Sequence, residues 1–270
     1  MTFFGRPLRV RRDINPLHLW RPIDSAQWTT IDTGKVSLCK DNGRGTARDL
    51  EQATPADRFT HGTDSRGNQF MQDTVGDKFM AVTSSVVADW TFMHNGLQPI
   101  TIACIVEIDA QSTMNNIMRT FGASALNGFN SRINGLVGTA VAVAASVGGG
   151  NGAVEMLEED NGPNGIYVFV ARWRDGDNTS VITPHANNKI DAELRSQGTN
   201  LSVNQPRQSA YNTGAPEFIL RLGETADATV NGIIGKFYEW IIDDRWWSDS
   251  ILHGYEQRAV AEFGAAKMIL

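Results

Sequence analysis

The chain has 270 residues, 41% hydrophobic and 20% charged, enough to bury a sizeable core in one large all-β domain or two small ones. No run approaches the roughly 18–20 apolar residues of a membrane-spanning helix, and two cysteines make no disulfide framework. The net charge of −6 is uneven: Arg6, Arg9, Arg11 and Arg12 stand in the first twelve residues with no acid, leaving 20 basic against 30 acidic groups beyond, a net of −10.

An acidic body does not suit a phosphate-binding face, so nucleic acid is not expected as a partner. A basic arm on such a body points to docking on an acidic partner, a neighbouring copy included; a solvated tail is the plain alternative. The opening MTFFGRPLRVRR has no apolar run after a basic start, which predicts no signal peptide. The 26 glycines and the long stretches of Thr, Ser, Asn and Asp predict many turns, hence many short strands.

In chain order, residues 1–15 read as an extended N-terminal arm and 16–270 as one domain, since no linker or repeat divides them. The polar stretch 41–64 reads as a long surface excursion. NQFMQDTVGDKFMAV (68–82) reads as a short hairpin turning at Val75-Gly76-Asp77. ITIACIVEID (100–109) alternates cleanly, with Ile102, Cys104, Val106 and Ile108 on one face and Cys104 as a small core residue. Gly135 to Val147 reads as one strand leading into the loop 148–152. Further strands are expected at 165–176, 216–223 and 235–244, where Trp240 alternates with Tyr238 and Ile242 as core packing. One helix follows, with Ser248 as N-cap, Asp249 in the first turn, Leu252, Tyr255, Ala259 and Phe263 on its buried face, and Gly264 closing it. Many short alternating strands separated by turns predict an antiparallel β-sandwich.

Several of these segments carry a family pattern. Leu19-Trp20, Val36-Ser37 and Asp41 near the start, Phe70, Asp77 and Met80 in the middle, and Gly235, Glu239, Asp244-Arg245, Trp247, Ser248-Asp249 and Phe263-Gly264 at the end resemble concanavalin A-like, laminin-G-like jelly-roll domains of bacteriophage structural proteins. Cys39 departs from the pattern, standing where the family places a Trp. The resemblance implies an all-β antiparallel sandwich with a short C-terminal helix. It also implies a virion protein, in capsid decoration or in a tail or fibre, made in the host cytoplasm and assembled with other virion proteins or as a homo-oligomer. The fold alone does not decide function, since it hosts lectins, hydrolases and virion proteins alike.

The chemistry in the sequence is sparse. Glu107 and Asp109 share a strand face, as paired glycosidase carboxylates do, but Gln111 and Thr113 stand where a third acid would complete the pattern. His18, His61, His94, His185 and His253 are scattered, without zinc-ligand spacing, and the glycines at 148–152 lack the following Lys-Ser/Thr of a phosphate loop. No catalytic residue is assigned and the chain is expected not to be an enzyme. Calcium, which lectin-like sandwiches often hold, has candidates in DGDN (175–178) and Asp243-Asp244, although turns are rich in Asp and Asn on backbone grounds alone. Trp20, Trp173 and Trp247 are expected in the core. Trp28, Trp90 and Trp246 are expected near the surface, where aromatic rings stack on sugars or anchor an interface. The reading is thus a virion structural protein; a carbohydrate-binding adhesin for host glycans is the alternative and a glycan hydrolase the third.

Overall fold

In the computed structural model, the residues described are 14–22, 28–30, 34–83, 89–90, 92, 99–110, 115–119, 129–137, 140–147, 154–158, 165–173, 199–201, 220–223 and 232–263. They form an all-β antiparallel sandwich with one C-terminal helix, as the alternation of short strands and turns predicts. The strands are β1 (His18–Trp20), β2 (Trp28–Thr30), β3 (Val36–Cys39), β4 (Leu50–Glu51), β5 (Thr60–Thr63), β6 (Gln69–Asp73), β7 (Phe79–Ala81) and β8 (Ile100–Ala110). Then come β9 (Asn115–Arg119), β10 (Phe129–Val137), β11 (Ala140–Val147), β12 (Val154–Glu158), β13 (Gly165–Trp173), β14 (Thr199–Leu201), β15 (Arg221–Gly223) and β16 (Ile234–Asp243), before helix α1 (Asp249–Phe263).

The first sheet runs β13-β8-β16-β6-β5, with β1 also paired to β16; the second runs β14-β12-β11-β10-β9-β15-β7-β4-β3-β2. β16 is the centre of the first sheet. β8 pairs along one side of it, and β6 (at 235–237) and β1 (at 240–242) share the other. Between the sheets the core joins Trp20, Val36, Phe59, Met71, Met80, Leu222, Phe237 and Trp240, all fully buried. Phe237 meets Phe59 edge-on at 5.1 Å and Trp240 at 4.9 Å.

Helix α1 covers part of the outer face of the first sheet. Its buried face is Leu252, Tyr255, Ala259 and Phe263, and Ser248 Oγ accepts the Ile251 N–H at 3.4 Å as its N-cap. This explains β8. Ile102, Cys104, Val106 and Ile108 face the core, yet Thr101, Ala103 and Ile105 on the opposite face are buried too. Glu107 and Asp109 on that face emerge beyond the helix, both partly exposed.

Five expectations need correction. The pattern in β16 is broken by a bulge between Phe237 and Glu239, which lets Tyr238 and Glu239 both face the helix while Phe237 and Trp240 face the core. Tyr238 therefore lies opposite Trp240, with its ring edge-on to Phe263 at 4.7 Å. Second, β6 and β7 do not pair. Buried Asp73 accepts the N–H groups of Val75, Gly76 and Lys78 at 2.8–2.9 Å, and the turn it closes carries the chain from one sheet to the other. Third, the segment 135–147 is the end of β10 and the return strand β11, not one strand. Fourth, the stretch 41–64 dips inward: Leu50 and Phe59 are fully buried, and buried Arg58 donates to the carbonyls of Gln52 and Ala53 at 2.8 and 2.6 Å. Fifth, the boundary after residue 15 moves, because Ile14 is part of the core. Of the strand expected at 216–223 the described part is β15, and Gly264 and the loop 148–152 lie outside the described residues.

Candidate functional site

Two surfaces emerge: the segment 14–22 that follows the basic stretch, called the root below, and the open part of the first sheet. The root is tied down from three directions. The loop 41–49 grips it through its backbone: Asn42 N–H donates to Leu19 O at 2.8 Å, Arg44 N–H to Pro16 O at 2.8 Å and Gly45 N–H to Leu17 O at 2.9 Å. The approach is close enough that a side chain on Gly43 would strike the Leu17 backbone. Asp41 organises this loop, its buried carboxylate accepting the N–H groups of Leu19, Gly43 and Arg48 at 2.9–3.0 Å and His18 Nδ1 at 2.6 Å. His18 lies between Trp20 and Trp90, with ring centroids 5.6 and 5.1 Å away.

From the end of β16, Arg245 donates to the carbonyls of Ile14 and Asn15. Arg245 is itself held by Asp243, which is fully buried and also receives Trp247 Nε1 at 2.8 Å and Arg44 at 3.2 Å. From the helix side, Arg21 Nε lies 2.7 Å from Glu239 Oε2 and its Nη2 reaches both Glu262 oxygens at 3.1–3.2 Å. Arg258 donates to Glu239 and Glu262 in turn, so two buried arginines share two carboxylates beneath the root. Burial by itself raises the Glu239 carboxyl, but Arg258 and Arg21 outweigh it and hold it below its ordinary value.

The open part of the first sheet presents a row set by strand register: Glu107 on β8 opposite Lys236 on β16, opposite Gln72 on β6, opposite Thr60 on β5. Glu107 accepts Lys236 Nζ at 2.7 Å and the Tyr238 hydroxyl at 3.0 Å, while Asp109 accepts Gln72 Nε2 at 3.3 Å. Burial, reinforced by the charge of Glu107, pushes the Tyr238 phenol far up, so it stays protonated and donates. Phe70 borders the row, edge-on to Tyr238 at 5.8 Å and 5.3 Å from Lys236 Nζ, in space left by Gly62. Chemically this is a half-open patch of donors and acceptors with an aromatic margin.

The structure brings Glu107 and Asp109 to one face but separates most other candidates. Trp90, expected near the surface, is fully buried against His18, because the fold brings the His18–Trp20 strand over it. Trp246 is partly exposed at the corner between β16 and α1, and Trp247 is buried 5.3 Å from Tyr255. Trp28 pairs through its backbone with Cys39, but its side chain and that of Trp173 lie outside the described residues, as do Arg6, Arg9, Arg11, Arg12 and the stretch 175–178. Asp243-Asp244, read as a calcium candidate, instead receives the guanidinium groups of Arg44 and Arg245. Among the described residues no group of three or more His, Cys, Asp or Glu is placed to hold a metal, and no helix is long and apolar enough to cross a membrane. The sequence did not reveal Lys236, Tyr238 and Gln72, because only strand register sets them beside Glu107.

The class these features define is an antiparallel two-sheet sandwich with both described chain ends packed on its central strand. No family model and no curated protein matches the sequence. Among solved structures it is similar to Trypanosoma rangeli sialidase, at 9% identity and a TM-score of 0.46, over 92% of this chain and 33% of that one. It is also similar to a GH54 α-L-arabinofuranosidase (15%, TM-score 0.43, 92% of this chain and 59% of that one) and to a receptor binding domain (8%, 0.44, 90% and 51%). The chain thus spans a third to about three-fifths of these proteins. The likenesses assign no reaction at these scores, but they correct one expectation: chains similar to this one include glycoside hydrolases, and the expectation of a chain that is not an enzyme is withdrawn.

Proposed function

We propose that the chain is a structural protein of a bacteriophage virion, a concanavalin A-like sandwich on the capsid surface or in a tail or fibre. In this reading the basic segment containing Arg6, Arg9, Arg11 and Arg12 fixes it to acidic neighbours, other virion proteins or further copies of itself. The observation that supports this reading is the root, residues 14–22, which Arg245, Arg21 and the loop 41–49 tie to the sandwich. The charge contrast between the first twelve residues and the body supports the same direction of docking. Replacing the four arginines by alanine should abolish incorporation into particles while leaving the melting temperature unchanged; undiminished incorporation would refute the reading. Truncations should stop at Asp13, since Ile14 and Asn15 belong to the body.

A second reading, recognition of host glycans, is favoured by the open patch of Glu107, Asp109, Lys236 and Gln72. It expects binding on a glycan array that is lost in Glu107→Gln, with Trp246→Ala testing the corner aromatic. A glycan that is cut and not merely held would release reducing sugar in the same assay.

A further inference from the structure

The sheets end in edges of very different character. In the first sheet one edge is β5, four residues with Gly62 among them and outer threonines exposed; in the second the edges are β14 and β2, three residues each. β1 is paired to a strand on one side only and meets the loop 41–45 on the other; the remaining edge is β13, Gly165–Trp173, nine residues long. All nine pair with β8 in one antiparallel register, from Gly165↔Ile108 to Trp173↔Ile100, with no bulge. Among the described residues no strand lies on its other side.

Natural edges are usually blunted by shortness, proline, charge or a bulge, because an open ladder of N–H and C=O groups templates pairing with another chain. The three stubs follow that rule. β13 does not: GIYVFVARW has no proline, no acid and a single charge, and six of its nine residues are β-branched or aromatic. Ile166, Val168 and Val170 are already buried against the rest of the molecule, so the strand is rigid before any partner arrives.

We propose that β13 is the surface on which a second copy of this chain adds to the sheet, β13 to β13, antiparallel about a twofold axis. Self-pairing of this kind needs no other complementary surface, since each residue i that meets a residue j is matched by j meeting i across the axis. Centred on Phe169, the register sets Arg172 opposite Ile166, so the strand's one charge does not face its own copy. Nine residues give a strip about 30 Å long. With roughly 10 Å of side chains on either face it covers about 600 Å² per protomer, some 1,200 Å² in all, the lower end of stable interfaces. This inference shares with the proposed function only the homo-oligomer and does not depend on the arm.

The test is sedimentation together with hydrogen exchange at two protein concentrations, on the full chain and on the chain lacking residues 1–13. A dimer is expected in both, with outward β13 amides exchanging at least tenfold faster on dilution. A monomer at all concentrations would overturn the inference. So would a dimer whose β13 amides exchange alike at both concentrations, whether fast or protected throughout. Loss of the dimer only on removing residues 1–13 would credit the arm and refute β13. Successive N–H groups on an edge strand alternate between partner and open side, so one of Val168→Pro and Phe169→Pro removes an outward donor only. That variant should be monomeric with a native circular dichroism spectrum; a folded proline variant at each site that still dimerises would also refute the pairing.

Discussion

Glu239→Gln tests the architecture directly. The substitution keeps the size of the side chain and removes its charge, leaving Arg21 and Arg258 with Glu262 alone, whose side chain is 27% exposed. Removing one partner of a buried ion pair costs about 3–5 kcal/mol, because the surviving charges stay buried without compensation. At about 2 °C per kcal/mol for a chain of this length, calorimetry should show a fall of about 6–10 °C in Tm. Acidification adds a second signature. The folded-state carboxyl is held below its ordinary value of 4.5, so its contribution is full above that pH and is lost as pH falls through the folded-state value. The gap between wild type and variant should therefore be constant from neutral pH down to about 5 and narrow below 4.5. A double variant, Glu239→Met with Arg258→Met, should recover most of the loss, since apolar replacement of a buried pair is often neutral. A Tm change under about 2 °C at neutral pH, or a gap indifferent to acid, would refute this account of how the helix is held.

Asp243→Asn should cost about 3 kcal/mol, because charge-assisted bonds from Arg44 and Arg245 are lost in a fully buried place; faster exchange of the 17–20 amides would accompany it, and unchanged exchange would show that Arg245 does not hold the root. Gly235→Ala should destabilise by about 1–3 kcal/mol in urea, since its Cβ would run into the Glu107 carbonyl across the β16–β8 pair; a neutral outcome would mean that the strands separate freely there. Cys39 and Cys104 are fully buried and burial pushes both thiols far up, so neither should react with a thiol reagent in the native state and both should after unfolding. Native labelling within minutes would place one of them at the surface.

The sequence carries the parts of this fold that depend on neighbours along the chain. The core face of β8, the helix with its Ser248 cap and the shared face of Glu107 and Asp109 all follow from period and capping. What it hides depends on register or on distant chain. A bulge shifts every residue after it, so Tyr238 reads as core-facing until the Phe237/Glu239 offset is seen. Leu50 and Phe59 sit singly among polar residues and give no period, yet each fills the space between sheets. Asp73 reads as part of a hairpin because turn residues signal a reversal, not the sheet to which the chain returns. Lys236 meets Glu107 only through antiparallel pairing across 129 positions of sequence.

Attachment through the basic segment and pairing through β13, both proposals, would use separate parts of the first sheet. The order β13-β8-β16, with β1 on the far side of β16, sets the arm root and the β13 edge on opposite sides of β8. Arg245 and Arg21 tie the root to β16 and α1, so a pull applied at Ile14 would enter the middle of the sheet and not its edge. A strand paired on both sides resists such a pull better than an edge strand, which separates from one neighbour at a time. No described residue of the root lies on β13, so pairing two copies through β13 leaves the root outside the new interface. Distant sites without shared partners act additively. Arginine substitutions in the arm and proline substitutions in β13 should therefore combine without coupling, one changing incorporation into particles and the other changing the dimer.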